Sequence, residues 1–473
     1  MADLIGSLNA ASNALDAFQQ AITVTQNNVT NANTPGYAKQ VPVLQALPFD
    51  QVGGQAGGST FGAPQNTRNE FAENAVRQQT SLLGTFQQIQ TSLQPLQTVF
   101  DATGQTGISK AFNDLYSAFS AWSTEPTNSN TQTGVLSAAG EVADAFQQAA
   151  SQVNSTLTST NQDLQSTVNQ INQAAQTIQN YNIAKIQSNT PDPNLDANLN
   201  STLENLSQLA NIQVVHEANG TVGVLLGGQT PLVLGNQVDP LKVTFTVPSN
   251  AQFPGNPPVA SIVDSNGNDI TSEISGGSLS GLLSVRNGTL PSLIGSPSQA
   301  GNLNTLAKSF ADAVNSTLTS GQISTGPPPV AGVPLFTYGA GSNVAASLTV
   351  NAAITPGQLA AIDPGPPLVS NGTALKLANL DSNSTTFING LSFSQFFSSL
   401  ATDVGNQISS ATSSASTQTQ VVAQAKAVRS QLSGVSLDEE AVRIVQLQTA
   451  FDAVSKVVTV IDQLAQTLVN IVQ

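Results

Sequence analysis

The stretch LIGSLNAASNALDAFQQAITVTQNNV, Leu4 to Val29, decides how the rest of the chain is read. Leu4, Leu8, Ala11, Leu15, Phe18, Ile22, Thr25 and Val29 recur at alternating steps of four and three residues. That heptad spacing lines a single apolar stripe along one face of a helix. At 1.5 Å per residue the helix is expected to be roughly 40 Å long. Its remaining faces carry Asn, Gln, Ser and Ala, with almost no charge. The other end of the chain mirrors it: Ile444, Leu447, Phe451, Val454, Val458, Ile461, Ala465, Leu468 and Val472 keep the same spacing. Ser436, followed three residues later by Glu439, reads as a capping box at the start of that helix. Asp438 and Glu440 add negative charge where the helix dipole is positive. Each stripe needs an apolar partner, either the opposite terminus of the same chain or copies in neighbouring subunits. Low charge on the outer faces suits the second arrangement, because like charges would oppose packing among many identical chains. Alone, a one-stripe helix buries little area and is expected to be marginal.

Composition narrows the rest. At about 150 residues per domain, 473 residues suggest about three domains. Charged residues make up 9% of the chain, against about 25% in ordinary globular proteins. Asn, Gln, Ser and Thr take their place, so the surface is polar but largely uncharged. The absence of cysteine excludes disulfides, thiolate nucleophiles and Cys-ligated metals. It also removes any need for an oxidising folding environment, which suits a chain exported unfolded. The one histidine, His216, cannot build a multi-His metal site. A net charge of −15 makes a poor nucleic-acid binder. Met1 to Ala21 has no basic start, no continuous apolar run and an Asp at position 3, unlike a secretory signal. No continuous apolar stretch of membrane-spanning length is read, so no span is expected.

The middle of the chain reads as helix from Asn69 to Ile186, with Pro95 a bend and Glu125-Pro126-Thr127-Asn128 a stop. Leu195 to Leu209 adds a short helix after the breaker Pro191-Asp192-Pro193. From 212 to 275 short β-like runs such as Val222 to Leu226 and Val243 to Val247 alternate with Gly, Pro and Asn. Asn219-Gly220 and Asn266-Gly267 signal hairpin turns. Helix is expected again over Leu303 to Leu318 and from Ser392 to about Leu432. The expected fold is α+β, predominantly α, elongated, with discontinuous domains. Residues 1–60 plus 425–473 form a terminal helical assembly domain, 61–211 plus 285–424 an elongated helical domain, and 212–284 a small β-rich subdomain.

Site chemistry is weak throughout. His216-Glu217 begins like a zinc-protease motif, but position 220 is Gly. The loop Asp264 to Asp269 has calcium-loop residues, yet its Gly falls at position four instead of six and position twelve is Ser275. A hairpin turn accounts for it better. No phosphate-binding GxxxxGK[ST] loop is present. Sequons such as Asn154-Ser155-Thr156 follow from composition. No catalytic residue, cofactor or metal is expected, and no enzyme activity.

After the first helix, Asn33-Thr34-Pro35-Gly36-Tyr37 reads as a type II turn, with Pro fixing φ and Gly accepting a positive one. The chain then runs extended to Leu47. The run NNVTNANTPGYAKQ, Asn27 to Gln40, resembles the N-terminal signature of flagellar rod, hook and hook-associated axial proteins. SGVSLDEEAVRIVQLQTAFDAVSKVVTVIDQLAQTLVNIV, Ser433 to Val472, resembles their C-terminal signature. GGSLSGLLSVRN (Gly276 to Asn287) and LANLDSNS (Leu377 to Ser384) are similar to internal segments of the hook-associated members. Ala38-Lys39 departs from the usual Ser-Arg. Long members carry a large β-rich insertion in the later half; here Ser320 to Gly341 is a short Gly/Pro stretch, so the resemblance is to a short form without it.

The resemblance implies a structural part joining hook to filament, exported unfolded by the flagellar type III system without cleavage and placed outside the cell. It implies four partners: copies of the chain in a ring, the hook protein, an adjacent hook-associated protein, and an export chaperone on the C-terminal helix. Assembly is expected to run through Leu4, Leu8, Leu15, Phe18, Ile22 and Val29 with Ile444, Leu447, Phe451, Val454, Val458, Ile461 and Leu468. Asn33, Pro35, Gly36 and Tyr37 set the turn; Ser436 and Glu439 cap the last helix. A hook or distal rod protein shares both signatures but is β-rich where this chain reads helical from Asn69 to Ile186. A secreted adhesin needs neither the seams nor the turn motif.

Overall fold

The computed structural model describes residues 2–50, 55–188, 192–341, 343–382 and 388–472. Pro191 of the expected breaker and Asn383-Ser384 of one family-like segment lie outside them, as does the side chain of Val472. Contacts divide the chain into two units, residues 1–81, 173–239 and 418–473, and residues 82–172 and 240–417. The sequence reading expected three regions. The division falls inside helices that each contribute to both units, which period alone cannot locate.

The first unit is built on α1 (Ala2–Thr30), the ribbon β1 (Gln40–Asp50) and β2 (Gln55–Asn66), and the start of α2 (Glu70–Leu93). β1 and β2 pair antiparallel, from Gln40 opposite Asn66 to Asp50 opposite Gln55. β2 was not legible: its Gly-rich sequence has no alternation. α3 (Gly107–Thr124) belongs to the second unit, and α4 (Ser129–Gln187) runs 59 residues, its last part in the first unit. α5 (Pro193–Leu209) starts with Pro at its first position, and Asp192 accepts from the N–H groups of Asn194 and Leu195. This satisfies donors that a helix start leaves free. β3 (Ile212–His216), β4 (Val222–Leu226), β5 (Thr230–Leu234) and β6 (Gln237–Val238) form one antiparallel sheet in that order.

The expected β subdomain of 212–284 therefore does not hold together. β7 (Lys242–Thr246) and β8 (Val259–Val263) form a separate two-stranded sheet, in the second unit. Residues beyond them turn helical, as α6 (Gly277–Ser284), a π-helical turn Val285–Thr289 and α7 (Leu290–Ile294). The second unit continues with α8 (Asn302–Ser320), β9 (Gln322–Ser324), β10 (Val330–Ala331) and β11 (Phe336–Thr337). It ends with α9 (Val344–Ser347), β12 (Thr349–Val350), α10 (Gly372–Ala378) and most of α11 (Phe393–Ser433). α12 (Leu437–Val472) closes the first unit. The outcome is predominantly helical with small separate sheets, as the composition and periodicity indicate.

The second unit has a continuous apolar core. Phe310 sits 4.7 Å from Phe112, 5.4 Å edge-on from Phe393 and 5.7 Å from Phe336, centroid to centroid. Trp122, Phe119 and Phe146 are fully buried around it. Such rings dominate burial energy.

Asparagine does the work that charge does elsewhere. A side-chain amide carries one donor and one acceptor face, so it can pair with a peptide group as a neighbouring strand would. Asn28 pairs this way with Gln40, Asn172 with Leu241, Asn182 with Val222, Asn287 with Ala260 and Asn315 with Phe336. In each pair the residue's N–H donates to Oδ1 and Nδ2 donates to its carbonyl. These hooks fasten strand and loop backbone to helices without needing a buried charge.

Candidate assembly interface

The N-terminal signature folds back on the end of α1. The Tyr37 N–H donates to Thr34 O at 3.1 Å, and Gly36 has φ of 77°. With Pro35 ahead of it, this is the geometry of a type II turn. Gly36 is required twice. Its φ suits glycine, and a Cβ there would lie 2.3 Å from Ala197 O and 2.8 Å from Ser201 N, both on α5. Asn33 and Pro35 are exposed, while Tyr37 is half-buried. Its hydroxyl donates to Asn28 Oδ1 at 2.9 Å. Burial, and then the charge of Glu440, push the phenol up to about 12.

The two terminal signatures meet through polar contacts that the heptad reading did not reach. Lys39 Nζ lies 2.9 Å from Glu439 Oε2 and 3.0 Å from Glu440 Oε1. Asn28 Nδ2 donates to Glu440 Oε2 at 2.9 Å. The Glu440 side chain is fully buried. Burial pulls Lys39 down, but its bonds to Glu439 and Glu440 outweigh that and leave it above its usual value. Lys39 holds Glu439 below the usual carboxylate range. The Lys39 N–H donates to Ser433 O at 2.9 Å, and the Asn69 N–H to Ser433 Oγ at 3.0 Å.

A second chain of charges extends from the turn. Arg68 Nη2 donates to Gly36 O at 2.6 Å, and its Nη1 pairs with Glu73 at 2.6 Å. Arg429 bridges Glu73 at 3.2 Å and Glu204 at 2.7 Å, and Lys426 pairs with Glu204 at 2.7 Å. Lys39, Arg68, Lys426 and Arg429 are four of only thirteen basic residues. The scarcity of charge is the signal that could have found this network.

The capping box forms in part. The Glu439 N–H donates to Ser436 Oγ at 3.4 Å. The Glu439 carboxylate goes to Lys39, a charged partner, instead of back to the Ser436 backbone.

The apolar seams are placed differently from a simple helix pair. α1 packs on β1, β2 and α12. Its most buried residues are Ala17, Ala21, Thr25 and Asn28. Small side chains let the ribbon approach closely, as at Gly58, where a Cβ would stand 3.3 Å from Ala10 Cβ. Leu4, Leu8, Leu15, Phe18 and Ile22 are half-buried, and Val29 is exposed. On α12, Ile444, Leu447, Phe451, Val454, Val458 and Ile461 are half-buried, and Leu468 is exposed.

α12 also carries an apolar face that the heptad reading missed. Val442, Val445, Val457, Val460 and Leu464 fall on one side at roughly 100° per residue, with Thr449 and Ala453 between them. Val445 is 61% exposed and Val460 53%. The expectation of a one-stripe helix is corrected: period 3.5 finds the seam, but the second stripe follows 3.6. The stretch Phe393–Asn470 holds an 18-residue window of mean hydropathy 1.3, none of it buried, long and apolar enough to pass as a membrane span. Polar residues recur along the whole stretch, so it contains no continuous apolar run of that length.

The other motifs are structural. His216 Nε2 lies 3.2 Å from Glu70 Oε2 at the end of β3. Asp264 accepts from the N–H groups of Asn266 and Asn268 and from Asn268 Nδ2, closing the loop on itself. Among the described residues no cluster of His, Asp or Glu could hold a metal.

Residues 93–336 match the family described as flagellar hook-associated protein FlgK helical domain. Residues 417–471 match the flagellar basal body rod FlgEFG protein C-terminal family, and 8–37 the flagella basal body rod protein family. Flagellar hook-associated protein 1 of Bacillus subtilis (strain 168) is 25% identical, covering 98% of this chain and 97% of that protein. Its counterpart in Escherichia coli (strain K12) is 22% identical, covering 98% and 99%. The flagellar hook junction protein FlgK from Burkholderia pseudomallei shares the fold, with a TM-score of 0.64 at 18% identity over 77% of this chain and 100% of that one. The helical core of the second unit, bracketed by the two terminal signatures, places this chain in the FlgK family of flagellar hook-associated proteins.

Proposed function

We propose that the chain is the structural axial component that joins flagellar hook to filament, polymerising through α1 and α12. The observation that carries this is the apolar surface of α12. One face is half-covered within the chain, and the face through Val445 and Val460 is open. A core helix of a finished monomer would not leave both incomplete. The seam residues Leu4 to Val29 and Ile444 to Leu468 hold the terminal pair together, and the second face of α12 meets neighbouring copies in a ring. The hook protein and an adjacent hook-associated protein lie at its two ends. Before export, a chaperone shields α12. The chain passes unfolded through the type III route with its N-terminus uncleaved and works outside the cell. The role requires no catalysis.

The test is Phe451→Asp in the source cell. Filaments should fail to attach, while the fluorescence of Trp122, buried in the core of the second unit, stays native. Normal filament attachment would sink the seam reading. Mass spectrometry of sheared appendages should find the chain at a small ratio to the filament protein, starting at or next to Met1; a processed start in the envelope fraction contradicts the export route.

A further inference from the structure

Asn28 uses its entire hydrogen-bonding capacity. Oδ1 accepts from the Gln40 N–H and the Tyr37 hydroxyl, both at 2.9 Å. Nδ2 donates to Gln40 O at 2.8 Å and to Glu440 Oε2 at 2.9 Å. An amide has two donors and two acceptor sites, so nothing is left over. Three of the four bonds come from the N-terminal segment itself, and the fourth comes only from the first turn of α12, about 400 residues away in sequence. Asn28 and Glu440 are both fully buried. A buried donor without an acceptor, or a buried carboxylate without its cation, is costly. Neither segment can therefore take its native form at full stability without the other.

We propose that Asn28, Lys39 and Glu440 form a latch that makes the N-terminal turn and the start of α12 order together, so that a chain whose α12 is held elsewhere keeps its N-terminal turn open. The consequence for assembly rests on the function proposed above, but the latch itself does not. While α12 is undocked, Lys39 Nζ and Asn28 Nδ2 lack the carboxylates of Glu439 and Glu440. Docking supplies both carboxylates at once. The device sits in a single unit and involves one buried carboxylate, so it responds to the presence of α12 and not to general compaction.

Hydrogen exchange on the full-length chain tests it by reciprocity. Glu440→Ala should speed exchange of the Lys39 and Gln40 amides at least tenfold. Asn28→Ala should speed exchange of the amides from 440 to 443 at least tenfold. Exchange in α8, in the other unit, should not change. Lys39→Arg should keep native protection and Lys39→Met should lose it. A variant that loosens only its own segment overturns the latch. If α8 also exchanges faster in Glu440→Ala, Glu440→Gln decides: it keeps an acceptor for Asn28 and drops the charge facing Lys39. Protection between native and alanine levels supports the latch, and protection equal to native overturns it. Lost filament attachment in Phe451→Asp together with no reciprocity here would leave the junction role standing and remove the latch; the converse pair of results would do the opposite.

Discussion

The core of the second unit and the helix α12 use apolar residues in opposite ways. Around Phe310 the rings of Phe112, Phe336 and Phe393 close on one another and leave nothing exposed. Along α12, residues of comparable hydrophobicity are half-covered or open. The first region is finished within one chain. The second is a helix whose apolar area exceeds what its own chain covers, and soluble proteins keep such surface for partners. On the function proposed above, the two regions separate stability from assembly.

Four substitutions or conditions probe that separation. The largest effect belongs to Phe310→Ala, which should cost the second unit about 3–5 kcal/mol, read as a lower denaturant midpoint of Trp122 fluorescence. A loss under 1 kcal/mol would mean the rings do not form one core. Asn182→Ala comes next. Asn182 holds Val222 through both its N–H and its carbonyl, and also Gly235 O. Removing it strands buried backbone groups and should cost about 2–3 kcal/mol, with exchange rising in β4 but not in α8.

Acid should separate the units further. Bonds to Lys426 and Arg429 outweigh burial and hold Glu204 low, and Lys39 holds Glu439 low. A carboxylate depressed in the folded state adds stability that is present above its unfolded value of 4.5 and lost as pH falls through the folded one. Exchange protection of the 28–40 turn should therefore weaken below about pH 4.5 before the aromatic core does. Equal loss in both would contradict the polar account of the first unit. At the alkaline end the raised Lys39 works in reverse: its contribution is complete below its unfolded value and fades as pH rises through the folded one. The smallest effect is expected of Val460→Ala, within about 0.5 kcal/mol for the isolated chain, with self-association weakened all the same. A large loss of monomer stability there would show that the second face of α12 is already covered.

Much of this is legible in the sequence. The helices α3, α4, α5, α8 and α11 follow from apolar period and from breakers such as Pro126 and Asp192-Pro193. The turn at Pro35-Gly36 follows from two residues that favour its φ values. The two terminal signatures point to the family. These are local properties, set by a few neighbouring residues and by the geometry of one helix or turn. What stayed hidden depends on residues far apart in sequence. β2 forms because β1 pairs with it and α1 packs on it, with Ala10 against Gly58. The β runs of 212–263 divide between two units because Asn182 and Asn172, both on α4, hook different segments of them. Glu439 abandons its cap because Lys39 reaches it. The sequence by itself determined where helices run and which surfaces are apolar. Only the tertiary structure decided which of those surfaces the chain covers for itself, because coverage is a property of packing between distant segments and no period within one segment encodes it.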